Sequence, residues 1–335
     1  MKTGISLFLV LFSLLCLSCV NEDSYLSIDE EFLVIQDTVT SSNELQNLWT
    51  YEQMKHHYYW NNEMPDSLSL DFKQEPMNFF QELLSDKDRF SWCEINYNYN
   101  TRGVNIGSTV SFDSVYEFHG KNVGYAIYDE FNKNADIRSF AVRMKKANID
   151  ELILDLRYNP GGLVSTCAEL ASFIVPTEHL GKLYQQQYYN ENLTKIKAEE
   201  NNNSGVDSVY LRSGRWYELW GFNLKRLIVL ATEQTASASE ALVVGLRPYM
   251  DVVIVGTQTR GKDVGSYTIS DDDYKYQLQP ITFKYYNSKM ESTPETGLVP
   301  DVFAEDDKKV KRGDIEETLL KTALEYIKNN PLDNN

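Results

Sequence analysis

Three short stretches hold the residue types from which acyl-transfer chemistry is made: "DLRYNPGG" (155–162), "TASASE" (235–240) and "RGK" (260–262). A serine becomes a nucleophile when a base removes its proton and hydrogen-bond donors hold the oxyanion that forms. Ser237 is the candidate serine. With Glu240 it also fits the S-x-x-E capping box, in which two side chains satisfy free backbone N–H groups at a helix start. A helix start offers N–H donors and partial positive charge, so this stretch alone leaves both roles open.

A histidine is the usual base, and the chain has four. His56 and His57 fall in an N-terminal helical segment, His119 in a loop and His179 after a helix. None sits at a strand-to-helix junction, so a Ser–His–Asp triad is unsupported. Lys262 is the other base, directly after Gly261 and 25 residues beyond Ser237. A lysine accepts a proton only when neutral, so burial or a neighbouring cation such as Arg260 must bring its pKa from about 10.4 toward about 7–8. Taken alone, "RGK" would be a solvated turn in most proteins, since lysine is rarely buried. Gly161 and Gly162 follow Pro160 and let the backbone approach a ligand closely. Their N–H groups, with that of Ala238, could form an oxyanion hole, although a tight strand-to-helix turn needs the same glycines. Asp155, Arg157 and Asn159 read as shaping that turn.

The elements that must position these residues follow from periodicity. From residue 122 onward, apolar runs alternate with amphipathic ones: "NVGYAIYDEF", "ELILDLR", "RLIVLAT" and "DVVIVGTQT" as strands, "ADIRSFAVRMKKANI", "GGLVSTCAELASFIV" and "SASEALVVGLRPY" as helices. Continuously apolar strands between helices indicate an α/β fold with a mainly parallel sheet covered on both faces. The three chemical stretches each follow a strand, where such folds gather their sites. "KYQLQPITFKYY" adds further β structure, "NNNSGVDS" (201–208) a surface loop, and "DIEETLLKTALEYIKN" (314–329) a closing helix. Upstream, "NELQNLWTYEQMKHHYYW" and "PMNFFQELLSD" predict a small helical N-terminal domain over 43–92. Segment 93–121 reads as short strands and loops.

Composition narrows the partners. A formal charge of −17 argues against nucleic acid, whose phosphates would be repelled. Lys2 and the apolar "ISLFLVLFSLLCL" ending at "CLSC" read as a signal peptide over 1–18. The ending resembles a bacterial lipobox, which makes Cys19 a lipidation site, residues 19–42 a lipidated tether, and the bacterial outer membrane the expected anchor; an ordinary secretory cut is the alternative. Cys93 and Cys167 then remain; they could pair in an oxidising compartment but make no metal pattern, and Cys167, inside "STCAELASFIV", reads rather as a buried apolar residue. No cofactor and no metal is implied.

The ordered set "DLRYNPGG", "TASASE" and "RGK" resembles the S41 family of serine peptidases, the C-terminal processing or tail-specific proteases. "GLVPDV" (297–302) is similar to that family's closing G-x-x-P-D motif, and "FFQELLSDKDRFSW" resembles its N-terminal segment. The resemblance covers residues 43–92 and 122–305. It implies a ClpP/crotonase-like ββα core over 122–335, with Ser237 as nucleophile, Lys262 as general base, and Gly161, Gly162 and Ala238 as oxyanion donors. Family members commonly carry a PDZ domain before the core. Here 93–121 lacks its carboxylate-binding glycine loop, so that domain looks absent. Where the bacterial processing proteases often place a glutamine to orient the lysine, this chain has Ser266, which with Glu240 becomes the candidate for that task. The resemblance implies a cell-envelope serine endopeptidase acting on a peptide or protein substrate. The competing expectations are a catalytically weak or inactive ligand-binding lipoprotein and an esterase using the same dyad.

Overall fold

The computed structural model describes residues 42–95, 110–133, 136–271 and 276–332. The expected signal peptide, Cys19 and the tether up to residue 41 lie outside the described residues. Helix α1 (Ser42–His57) and helix α2 (Pro76–Glu82) form the N-terminal unit. Glu75 caps α2 by accepting from the Asn78 N–H, and Pro76 occupies the first turn, where its missing N–H costs nothing.

Strand β1 (Trp92–Ile95) closes this unit, and β2 (Val110–Phe118) and β3 (Lys121–Tyr128) open the main sheet. Helix α3 (Asp136–Lys146), β4 (Glu151–Asp155) and α4 (Val164–Ile174) follow. Next come β5 (Leu183–Tyr189), α5 (Glu191–Asn201), β6 (Asp207–Tyr210) and α6 (Arg215–Trp220). The pattern resumes with β7 (Arg226–Ala231), α7 (Ala238–Leu246) and β8 (Asp251–Gly256). The chain ends through β9 (Val264–Ser266), β10 (Ile269–Asp271), β11 (Tyr276–Gln279), β12 (Ile281–Tyr286), β13 (Val302–Phe303) and α8 (Thr318–Asn329).

The main sheet has the order β13-β8-β7-β4-β3-β2 and is parallel except for β2. The expected coverage of both faces is present. Leu152, Leu154, Val229 and Ile254 pack toward α3, α4 and α7, while Ile153, Ile228, Leu230 and Val255 pack against Leu319, Leu320, Ala323 and Leu324 of α8. Adjacent residues of one strand point to opposite faces, so only a strand buried on both sides reads as an unbroken apolar run.

Two smaller antiparallel sheets stand beside this core: β6-β5-β12-β9 and β1-β11-β10. The N-terminal helices bury Met54, Tyr58, Phe79 and Phe80 in one cluster with Tyr276, Leu278 and Ile281. That unit therefore shares its core with strands β9, β11 and β12.

Several sequence expectations shift. The closing helix starts at Thr318 instead of 314, because the Glu317 side chain caps it by accepting from the Leu319 and Leu320 N–H groups. Residues 93–121 supply β1 and β2, so the main sheet begins before residue 122. Segment 183–220 holds two strands and two helices that its polar spelling conceals. Cys93 and Cys167 are both free and buried, so the pairing that the sequence allowed is not formed and Cys167 is the buried residue expected.

Candidate active site

Strands β4, β7 and β8 are immediate neighbours in register, with Leu154 beside Val229 and Val229 beside Ile254. The loops leaving their carboxyl ends are therefore adjacent, and these loops are the three chemical stretches. Side-chain and backbone hydrogen bonds tie them together. Thr232 Oγ1 donates to the Arg157 carbonyl, Thr235 Oγ1 to the Leu156 carbonyl at 2.8 Å, and the Arg260 N–H to the Thr235 carbonyl at 3.0 Å.

Ser237 is the N-cap of α7 with φ 56° and ψ −116°, outside the wells that a non-glycine residue ordinarily fills. Such a conformation costs about 1–3 kcal/mol and persists only where the surroundings over-determine it. Here the Ser237 N–H donates to Glu240 Oε2 at 2.9 Å, and its carbonyl accepts from the Ala241 N–H at 2.8 Å. The Glu240 carboxylate is wholly buried and takes three further donors. Oε1 accepts from Thr259 Oγ1 at 2.5 Å and from the Gly261 N–H at 2.7 Å, and Oε2 accepts from the Lys262 N–H at 2.9 Å. Glu240 thus fastens the serine turn to the lysine turn. It holds the lysine backbone, whereas the sequence proposed it as a partner orienting the side chain.

Ser237 and Lys262 line one cavity of about 600 Å³. No histidine lines it. Among the described residues no direct hydrogen bond joins Ser237 Oγ to Lys262 Nζ, a looseness common in unliganded sites that tighten around substrate. Lys262 is half-buried, and its ammonium lies 5.2 Å from the centre of the Phe90 ring. Burial pulls its pKa below the ordinary lysine value, while the carboxylates of Asp88 and then Glu240 pull the other way. Asp88 reaches this position because its Oδ1 accepts from the Phe90 and Ser91 N–H groups at 2.8 and 2.9 Å. Arg89 Nη2 donates to the Gly261 carbonyl at 2.6 Å and to that of Glu295 at 3.0 Å. The N-terminal unit therefore builds one wall of the lysine's surroundings. Asp88, Arg89 and Phe90 went unassigned in the sequence, and only their place in "FFQELLSDKDRFSW" marked them.

The glycine pair divides its duties. The Gly161 N–H donates to Asn159 Oδ1 at 2.8 Å, so this donor is already committed, against its expected place in an oxyanion hole. Gly161 has φ 112°, and a Cβ there would stand 2.7 Å from Ser237 Cβ, so glycine is required by the closeness of the two turns. Gly162 and Ala238 line the cavity beside Ser237. Asn159 knits the two loops: its Nδ2 donates to the Tyr128 carbonyl at 2.8 Å, and its own carbonyl accepts from Ser239 Oγ at 3.1 Å. Arg157 is fully buried against Asp155 at 2.9 Å and Glu317 at 2.7 Å. Burial opposes its charge, but the hydrogen bonds it donates to Glu317 and Asp155, with their negative charges, outweigh it and hold its pKa above the ordinary value. Asp155, Arg157 and Asn159 are thus structural, as the sequence suggested. Cys167 Sγ donates to the Ala238 carbonyl at 3.1 Å, and burial pushes its thiol up to about 12, so it stays a neutral packing group.

Two family descriptions match the chain: "Peptidase family S41" over residues 122–304 and "Peptidase S41 N-terminal domain" over 46–92. The chain belongs to peptidase family S41. It is 26% identical over 190 residues to a carboxyl-terminal-processing protease of Synechocystis, an alignment covering 56% of this chain and 39% of that one. It is 29% identical over 153 residues to a protein of that name from Picosynechococcus, covering 45% and 32%. The matched region thus spans well under half the length of these relatives. A Bacteroides fragilis structure described as an S41 protease superposes with a TM-score of 0.73, covering 84% of this chain and 97% of that one at 19% identity. That likeness supports the fold.

In this S41 chain the closing motif braces the lysine loop. The Leu298 N–H donates to Thr259 Oγ1 at 2.7 Å, and Asp301 Oδ2 accepts from the Ile254 N–H at 2.8 Å. Gly297 has φ 95°, and a Cβ there would meet the Thr259 carbonyl at 2.0 Å. Ser266 ends β9 and lines the same cavity as Lys262, with no hydrogen bond between them among the described residues.

Proposed function

We propose that the chain is a serine endopeptidase of the cell envelope working through a Ser237–Lys262 dyad. The observation that carries this reading is the shared cavity, in which the strained serine at a helix start faces a desolvated lysine and no histidine. Neutral Lys262 takes the Ser237 proton as Oγ adds to the scissile carbonyl carbon. The N–H groups of Gly162 and Ala238 receive the oxyanion. The Lys262 ammonium then protonates the departing amine, leaving an acyl-enzyme on Ser237. Water, losing its proton to Lys262, adds to that ester and releases the acid product with Ser237 reprotonated. The same carbonyl chemistry accommodates an ester substrate.

The purified chain from residue 20 onward is expected to be labelled at Ser237 by a fluorophosphonate. Labelling that persists undiminished in Ser237→Ala, or no labelling of the folded wild type at any pH, would remove the dyad and favour the ligand-binding reading.

Asp88 opposes the effect of burial on Lys262 and so bears on the working pH. The active form of Lys262 is neutral, so acylation rises as pH climbs through its pKa. Asp88 raises that pKa. Asp88→Asn keeps an acceptor for the Phe90 and Ser91 N–H groups and removes the charge, so the acylation midpoint should move to lower pH. An unmoved midpoint would show that Asp88 does not act on the base.

The envelope location rests on the lipobox-like end at Cys19 and the apolar run before it. Palmitate incorporation by the full chain should vanish in Cys19→Ser, and incorporation that survives the change would discard the anchor.

A further inference from the structure

Among the described residues lining the cavity, Gln185 has a buried polar side-chain atom left without a partner. Its Nε2 makes no hydrogen bond, although the residue is 2% exposed. The neighbouring polar groups are engaged: Gln187 Oε1 accepts from Tyr189 Oη at 2.9 Å, and Tyr285 Oη bonds Thr293 Oγ1 at 2.6 Å. An amide buried without a partner is disfavoured, and sites keep such groups where a ligand completes them.

Its place relative to Ser237 follows from the helix. Ala241, four residues after Ser237 on α7, also lines the cavity and lies about 6 Å further along the axis on the same face. Val164, Phe283 and Tyr285 join Ala241 in one buried apolar cluster, and all four border the cavity together with Gln185 of β5. The chamber beside the nucleophile therefore has apolar side chains on one wall and, on β5, the amides of Gln185 and Gln187, of which Gln187 already accepts from Tyr189 Oη. The apolar wall suits the methylenes of a long side chain. The Gln185 amide suits a neutral end group that both donates and accepts, a pairing that holds in either orientation of the Gln185 carboxamide.

We infer that Gln185 is a specificity-determining residue that selects a glutamine side chain on the residue whose carbonyl Ser237 attacks. This deepens the serine-peptidase reading and rests on it. An aliphatic side chain of equal length fills the walls and leaves the amide unpaired. A carboxylate offers no donor, and an ammonium offers no acceptor.

The test uses peptidyl phosphonate esters identical except for the residue bearing phosphorus: glutamine, methionine, leucine, glutamate or lysine. The readout is the ratio of second-order labelling rates at Ser237 within each protein, which cancels any change in overall reactivity. Wild type should favour glutamine over methionine by about tenfold or more, as expected when a site built for a hydrogen bond meets an analogue lacking it. Gln185→Leu should invert that ratio, and Gln185→Glu should abolish the preference for glutamine over lysine. A wild-type preference for methionine or leucine overturns the inference while leaving the dyad intact, as does a ratio unchanged in Gln185→Leu. Failure of every reagent, together with the simple fluorophosphonate, overturns the dyad and this inference with it.

Discussion

Lys262→Met is expected to lower the rate of Ser237 acylation by roughly a thousandfold or more, the scale on which removing a positioned general base acts. Methionine keeps most of the side chain's volume against Phe90 and cannot accept a proton. The wild-type rate should rise with pH to a plateau whose midpoint lies below that of an ordinary lysine. The sign follows from the surroundings, since burial disfavours the ammonium and outweighs the opposing pull of Asp88 and Glu240. In Lys262→Met that rise should disappear, leaving only the slow dependence on hydroxide. A variant acylated at the wild-type rate, with the same midpoint, would assign the base elsewhere. Circular dichroism and an unchanged melting temperature would show that the lost rate is chemical.

Glu240→Gln is expected to impair stability and acylation together. The carboxylate accepts from two donors at each oxygen: Thr259 Oγ1 and the Gly261 N–H at Oε1, the Ser237 and Lys262 N–H groups at Oε2. A carboxamide has one accepting oxygen, so in either orientation its NH₂ is turned against backbone N–H groups. With Oε1 replaced, the Gly261 N–H is opposed; with Oε2 replaced, the serine and lysine turns are both pushed away. Leaving buried donors unsatisfied costs about 2–4 kcal/mol in total, on the order of 5–10 °C in Tm for a domain of this size. The displacement should also cost about a hundredfold in acylation, because the nucleophile and base are held through their backbones. Retained Tm with retained labelling would show that the turns do not depend on Glu240. The capping-box pattern of the sequence was therefore real, and its glutamate joins two loops as well as capping one helix.

Much of this arrangement was legible in the chain of residues. Unbroken apolar runs such as "LIL" (152–154) and "LIVLA" (227–231) identified strands buried on both faces, and each junction after them carried residues suited to acyl transfer. The turn-shaping roles of Asp155, Arg157 and Asn159 were legible for the same reason, since polar groups at the ends of buried strands must find partners. The second sheet was not. "LYQQQYY" looks solvated, yet β5 runs beneath α7 with Gln185 and Gln187 buried, because a strand lining a cavity of mixed polar and apolar walls need not be apolar.

The sequence by itself determined the parallel core, the order of its junctions, and the presence of a serine, a lysine and paired glycines at them. Tertiary structure decided which of those groups meet. The order β8-β7-β4 sets the three loops side by side, the Asn159 side chain takes the Gly161 N–H, and residues 88–90 arrive beside Lys262 from far earlier in the chain. The reason is physical. Strand and helix tendencies are set by neighbours along the chain, whereas a lysine's pKa and a donor's availability depend on what excludes water around them.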